Sequence, residues 1–258
     1  MPEFDPGPPP AFAQHFDNLP DLTAHKSLFW FTWGPIFYRG RLDNSAKVLF
    51  VASDPGPTER VACRTLVGDA GQRVQGFIVK LGLTSSYVCV NAHPFALFPS
   101  KGPDGEKLLR NHATLKTWRN QFYTMLKTPA LQAIVAFGEQ AHLAVHLWDG
   151  KGSTPVFELP HPSSRNPAAL ARAWREAVPQ LRAVVTPDPG GSNTGPNYGQ
   201  GIKEADYARI PARDLPWGLP DFIGDDAWGR RARPRHNNCV SRPGRDLRYK
   251  LEWIAPKR

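Results

Sequence analysis

Three side chains of different chemistry stand just beyond short apolar runs in this sequence. Asp54 follows Lys47-Val48-Leu49-Phe50-Val51-Ala52, Asn91 follows Tyr87-Val88-Cys89-Val90, and His161 follows Pro155-Val156-Phe157-Glu158-Leu159. A carboxylate can hold positive charge or orient a water, an amide offers a donor and an acceptor together, and an imidazole can donate or accept. Converging on one cleft, they make a catalytic set. Singly, each has a plainer reading. Asp before Pro is a common turn, Asn often ends a strand, and an isolated His is more often a satisfied interior group.

The elements between these residues bring them together. Four apolar runs, at 47–52, 87–90, 133–137 and 155–159, each end in a polar or Gly/Pro-containing loop and read as buried strands. Helical stretches separate them. One spans 67–81, with Val67, Ala70, Val74, Phe77, Ile78 and Leu81 on one face; others run through Trp118, Phe122 and Met125, from Glu139 to Trp148, and from Pro167 to about Val178. The alternation predicts an α/β fold of three layers, α/β/α, around a mainly parallel four-stranded sheet. Parallel strands all end on the side where the crevice of an open sheet lies, so Asp54, Asn91, Gly138 and His161 share a rim. Residues 1–20 carry six prolines and are expected to lack regular structure. The aromatic segment Ser27–Trp33 reads as packing, and Pro99–Lys107 as a loop. The chain reads as one domain: a core of about 27–185, a Pro-rich segment 1–26, and a basic, Pro/Gly-rich extension 186–258.

Composition narrows the class. At 258 residues and 41% hydrophobic, with 14 Phe and 8 Trp, the chain can bury a substantial core. No apolar run reaches the roughly 18–20 residues of a membrane helix, so no membrane role is expected. The start lacks a basic region followed by an apolar one, so no secretory leader is expected either. Cys63, Cys89 and Cys239 lie far apart and suggest neither a disulfide framework nor a metal knuckle, which fits a reduced cytoplasm. The net charge of +9 points to a polyanion, nucleic acid before membrane. It is concentrated at one end: residues 228–258 hold ten basic and two acidic groups, against 22 and 21 in the other 227 residues. That tail reads equally as a phosphate-binding arm or as a solvated extension.

Four segments, in order, resemble the uracil-DNA glycosylase superfamily. Ala52-Ser53-Asp54-Pro55-Gly56-Pro57-Thr58-Glu59 resembles its first catalytic loop, and Val67-Gly68-Asp69-Ala70-Gly71-Gln72 the start of the helix that follows. Val90-Asn91-Ala92 resembles the strand end whose Asn reads uracil, and His161-Pro162-Ser163-Ser164 the histidine loop. The likeness spans about residues 47–182. It implies a monomeric enzyme that hydrolyses the bond between deoxyribose and uracil in DNA and leaves an abasic site for base-excision repair. Asp54 and His161 would be catalytic, and Asn91, Ser53, Pro55 and Gly56 would bind the substrate. Gly71, Gln72, Ser163, Ser164, Arg165, Lys101 and Arg110 would contact DNA. The Pro-Gly-x-x-Glu and Val-Gly-x-Ala-Gly patterns are similar to the iron–sulfur branch, which needs four cysteine ligands. With three cysteines, none at the expected positions, no cluster, other metal or cofactor is implied. Leu66 stands where that branch has a Phe that stacks on the base. His112 falls near the reactive histidine of the covalent uracil-binding branch but without its basic run, so no covalent adduct is expected. Two alternatives stay open: a glycosylase for another deaminated base, and an abasic-site or damaged-DNA binding protein with little catalysis.

Overall fold

The computed structural model describes residues 4–191 and 198–216, together with a two-residue strand pair, Val240–Ser241 against Glu252–Trp253. The rest of the basic C-terminal tail lies outside the described residues. The main sheet has five strands: β1 (Tyr38–Gly40), β2 (Val48–Ala52), β3 (Tyr87–Asn91), β4 (Ala133–Phe137) and β5 (Val156–Leu159). Their spatial order is β1-β3-β2-β4-β5. The four expected strands are parallel to one another, and β1 is added antiparallel to β3 at the edge. The expected count of four thus becomes five, because a three-residue strand is too short to show a periodic pattern.

Central β2 is almost wholly enclosed, which is why its sequence is a continuous apolar run rather than an alternating one. The period of two survives in the faces it serves. Leu49 and Val51 join the core under α1 (Pro10–Asp17), α4 (Gly102–Asn111), α5 (Ala113–Leu126) and α6 (Glu139–His146). Val48, Phe50 and Ala52 join the opposite core, under α3 (Asp69–Lys80) and α7 (Pro167–Val184). These are the three layers of an α/β/α fold.

Three local expectations are corrected. The Pro-rich start contains α1, where Pro10 occupies the first helical position and loses no hydrogen bond there. Phe12 and Phe16 repay that turn by burial, and Phe16 stacks on Phe37 with centroids 4.3 Å apart. Most of the expected loop at 99–107 belongs to α4, again with Pro in the first turn; Gly105 lets it pack so closely that a Cβ there would stand 2.9 Å from Leu97. Helix α7 runs past Val178 and through Pro179, because Leu181 continues the same fully buried stripe.

The segment after α7 is part of the packed body at least as far as Leu215. Asp188 accepts the N–H groups of Thr84, Ser85 and Ser86 and pairs with Lys47 at 2.9 Å. Asp214, wholly enclosed, pairs with Arg39 at 2.9 Å and with Arg41, and accepts the Tyr87 hydroxyl at 2.7 Å. Arg39 is equally enclosed, so removing its acid strands a buried charge. Asp214→Ala is expected to lower stability by about 3–5 kcal/mol, read as a lower urea midpoint at unchanged slope.

Candidate active site

At the carboxyl ends of the strands lies a cleft of about 460 Å3, with Asp54, Glu59, Leu66, Arg73 and His161 in its walls. Its geometry begins with β2 and β3, whose pairing continues past the strand ends. The N–H of Ala92 donates to Ala52 at 2.8 Å, and that of His93 to Ser53 at 3.0 Å. Asp54 is the first residue the sheet releases. Its Oδ2 accepts the N–H of Leu97 at 2.9 Å, which fixes the carboxylate to the loop beyond β3. The residue keeps an edge open to the cleft while protein encloses most of the carboxyl. Burial pushes that carboxyl up to about 7; the Leu97 hydrogen bond acts against the shift, and the nearby negative charge of Glu59 adds to it.

Glu59 is the brace of this rim. It sits in the first turn of α2 (Pro57–Ala62), and its Oε2 accepts the N–H of Gly56 at 3.0 Å. Its Oε1 accepts the N–H groups of Val67 and Gly68 at 2.8 and 3.0 Å. One carboxylate therefore ties the Asp54 loop to the turn that starts α3. In that turn Leu66 takes a left-handed backbone, φ 52°. Its carbonyl lies so close to Gly71 that a Cβ there would come within 1.8 Å of it.

His161 reaches the cleft from the end of β5. Gly138, at φ 83°, makes room for it: a Cβ at that position would stand 3.1 Å from the histidine Cβ. Nδ1 of His161 accepts the N–H of Ser163 at 3.1 Å. The neutral ring assigned from that bond carries its proton on Nε2. Burial pulls the imidazole down to about 4, so the neutral form persists at any ordinary pH. Arg73 holds the loop in place. Its guanidinium donates to the Pro162 carbonyl at 2.7 Å and to the Tyr207 hydroxyl, and pairs with Asp69 at 3.3 Å.

The other expected site residues divide. Pro55, Gly56, Ser163 and Ser164 line the cleft with Asp54 and His161. Ser53 contributes its carbonyl to the β2–β3 extension. Asn91 stands opposite Ala52 in register, one strand over, outside the residues that line the cleft; its carbonyl accepts the Tyr123 hydroxyl at 3.1 Å, and its enclosed Nδ2 has no hydrogen-bond partner among the described residues. Arg165 and Arg110 are exposed, and Lys101 is paired with Asp104, but none of these three lines the cleft. Gly71 and Gln72, expected at DNA, are instead interior. Gly71 accommodates the Leu66 turn, and fully buried Gln72 accepts the N–H of Ala208 at its backbone. His112 caps α5, its Nδ1 accepting the Leu115 N–H at 3.1 Å, and lies outside the cleft. Among the described residues no Phe, Tyr or Trp lines the cleft, and Leu66 occupies its wall as an aliphatic surface.

Fold and site together define a class: an α/β/α protein with a carboxyl group and a neutral imidazole at the strand-end rim of a mainly parallel sheet. Residues 39–182, more than half of the chain, match the Uracil DNA glycosylase superfamily, and the chain belongs to that superfamily. Membership makes it a hydrolase of the DNA glycosylase kind, with DNA as its substrate. A search of curated proteins returns no match to the chain.

Sequence reasoning gave no role to Glu59 or Arg73. Glu59 three residues after Gly56 is a helix-start signature that was available. Arg73, four residues after Asp69, signalled only a helical ion pair.

Asp54 makes a further prediction that is independent of activity. Its carboxyl titrates near 4 in the unfolded chain and about 7 in the folded one. Stability from this group is full below pH 4 and is lost as pH rises through 7. Asp54→Asn is expected to be more stable than the parent by up to about 4 kcal/mol above pH 7, the gap closing as pH falls towards 4. Thermal melts across that range read the difference.

Proposed function

We propose that the protein is a monofunctional uracil-DNA glycosylase, acting as a monomer in base-excision repair without metal or organic cofactor. The observation that carries this reading is the pairing in one cleft of a carboxyl raised towards neutrality with an imidazole held neutral, its Nε2–H unengaged among the described residues. Breaking the bond between C1′ and a pyrimidine nitrogen leaves positive charge on the sugar and negative charge on the base. Asp54, as carboxylate, stabilises the sugar cation and orients the water that adds to C1′, taking up its proton. His161 donates from Nε2 to uracil O2 as charge builds there, a contribution on the order of 3–4 kcal/mol. A neutral donor suits this step, because it accompanies charge development without bringing a cation into an enclosed site.

Asn91 supports the choice of base. Its buried Nδ2 has no acceptor among the described residues, a deficit of about 1–3 kcal/mol that a ligand carbonyl would relieve. The amide can donate to uracil O4 and accept from N3–H; cytosine reverses both positions. The base must leave the stack to reach the cleft. There it meets Leu66 rather than an aromatic ring, so hydrogen bonds carry more of the selection than stacking does.

Cleavage of uracil-containing single- and double-stranded oligonucleotides tests the reading. Strand breaks appearing only after alkali are expected. Turnover at saturating DNA should rise about tenfold per pH unit to near pH 7 and then level off, since the reactive form of Asp54 is the carboxylate. Asp54→Asn should lose most of that turnover and the pH limb with it. A rate that falls as pH rises through 7 would remove Asp54 from this role. Tight abasic-DNA binding without cleavage would favour the binding protein instead.

A further inference from the structure

Trp30, Trp33 and Phe98 form a stack that the core does not fully absorb. Trp30 lies on Trp33 with centroids 5.3 Å apart and planes 18° from parallel, and Phe98 closes on Trp30 at 4.6 Å. All three rings are half-buried, whereas their neighbour Phe29 is 1% exposed and belongs to the core. Exposed Arg60 sets its guanidinium over the Trp33 ring at 5.4 Å.

Two links hold this stack to the catalytic rim, one through the chain and one through the cation–π contact of Arg60. Phe98 directly follows Leu97, whose N–H is bonded to Asp54. Arg60 belongs to α2, which begins at Pro57 in the cleft wall. The strand order places the connection after β3 on one side of Asp54 and the His161 loop on the other. The stack therefore flanks the acid on the side away from the histidine.

We propose that Trp33 and Phe98 are a platform for unpaired bases of the DNA strand next to the target nucleotide, with Arg60 exchanging the Trp33 ring, which it covers in the free protein, for a phosphate of the same segment. The inference rests on the cleft being where the extruded base is received. Flat rings grip any base face without reading its edge, and an exposed cation lying on one of them favours the phosphodiester backbone. Bases within a duplex are already stacked on each other and cannot use such a surface. The platform should therefore act on single-stranded DNA, and on duplex only where it is opened.

The test uses the full chain and two readouts. Binding of a labelled, uracil-free oligothymidylate is followed by fluorescence anisotropy, and uracil cleavage is followed on single-stranded and duplex DNA. Trp33→Ala is expected to weaken oligothymidylate binding about tenfold and to raise KM for single-stranded uracil DNA in parallel. Its kcat and its duplex KM should stay within about twofold of the parent, and Trp33→Phe should restore binding. Arg60→Gln, at the exposed end of the stack, should lower the salt slope of binding by about one ion. The proposal is overturned by an unchanged affinity in Trp33→Ala, by equal losses on single strand and duplex, or by an unchanged salt slope in Arg60→Gln. A parent protein that does not bind oligothymidylate overturns it too. Because the binding probe lacks uracil, a failure of uracil cleavage would count against the proposed activity and leave the binding result to be read separately.

Discussion

The rim of this protein depends on one buried carboxylate. Two loops meet at the end of the central strand, and their backbone N–H groups point inward, away from water. Each needs an acceptor, because an unpaired buried N–H costs about as much as a lost hydrogen bond. Glu59 supplies both oxygens to three of them, on Gly56, Val67 and Gly68. A neutral side chain has only one acceptor atom and would leave part of the set unserved. The brace has an electrostatic consequence as well. Its negative charge lies close enough to Asp54 to help keep that carboxyl protonated up to about pH 7. The same group that holds the loop in shape thus adjusts the acid the loop presents.

Desolvation acts on the two cleft groups in opposite senses, and the outcome is coherent. It raises the acid and lowers the base, so each spends more of the pH scale uncharged than it would in water. An Asp–His ion pair would give the reverse pattern, with the acid low and the base high. The cleft therefore holds two separately perturbed groups rather than an ion pair, which suits the two tasks proposed for them, one at the sugar and one at the base. Environments that push two titratable groups apart are the means by which a single site serves both.

The sheet was legible in the sequence because strands buried on both faces are written as unbroken apolar runs, and because the residue that ends each run is polar. The same feature exposed Asp54 and His161. What was hidden had either too little length or too much separation. Three residues of β1 carry no period. Helices α1 and α4 carry a proline in the first turn, the one place where it does not argue against a helix. The resemblance put Gly71 at DNA, whereas its close approach is to the Leu66 carbonyl; a motif does not by itself say which neighbour a glycine makes room for. Asp214 is bound to residues more than a hundred positions away, a distance over which no periodic pattern operates.

That last separation alters what counts as the enzyme. The superfamily match ends at Arg182, yet the loop carrying His161 is not held by the matched residues alone. Arg73 grips the Pro162 carbonyl, and Arg73 is in turn fixed by the hydroxyl of Tyr207 and stacked on its ring at 5.2 Å. Tyr207 is held by its own segment: the next residue, Ala208, donates to Gln72 on the helix that bears Arg73, and Lys80 of that helix pairs with Asp206 at 2.9 Å. Gly76 permits this contact, since a Cβ there would come within 1.8 Å of the Asp206 carbonyl. A chain of direct contacts therefore runs from the segment past the family core, through α3, to the backbone of the histidine loop. Position is what a hydrogen-bond donor contributes in the role proposed for His161, and part of that position is set by residues beyond the superfamily match.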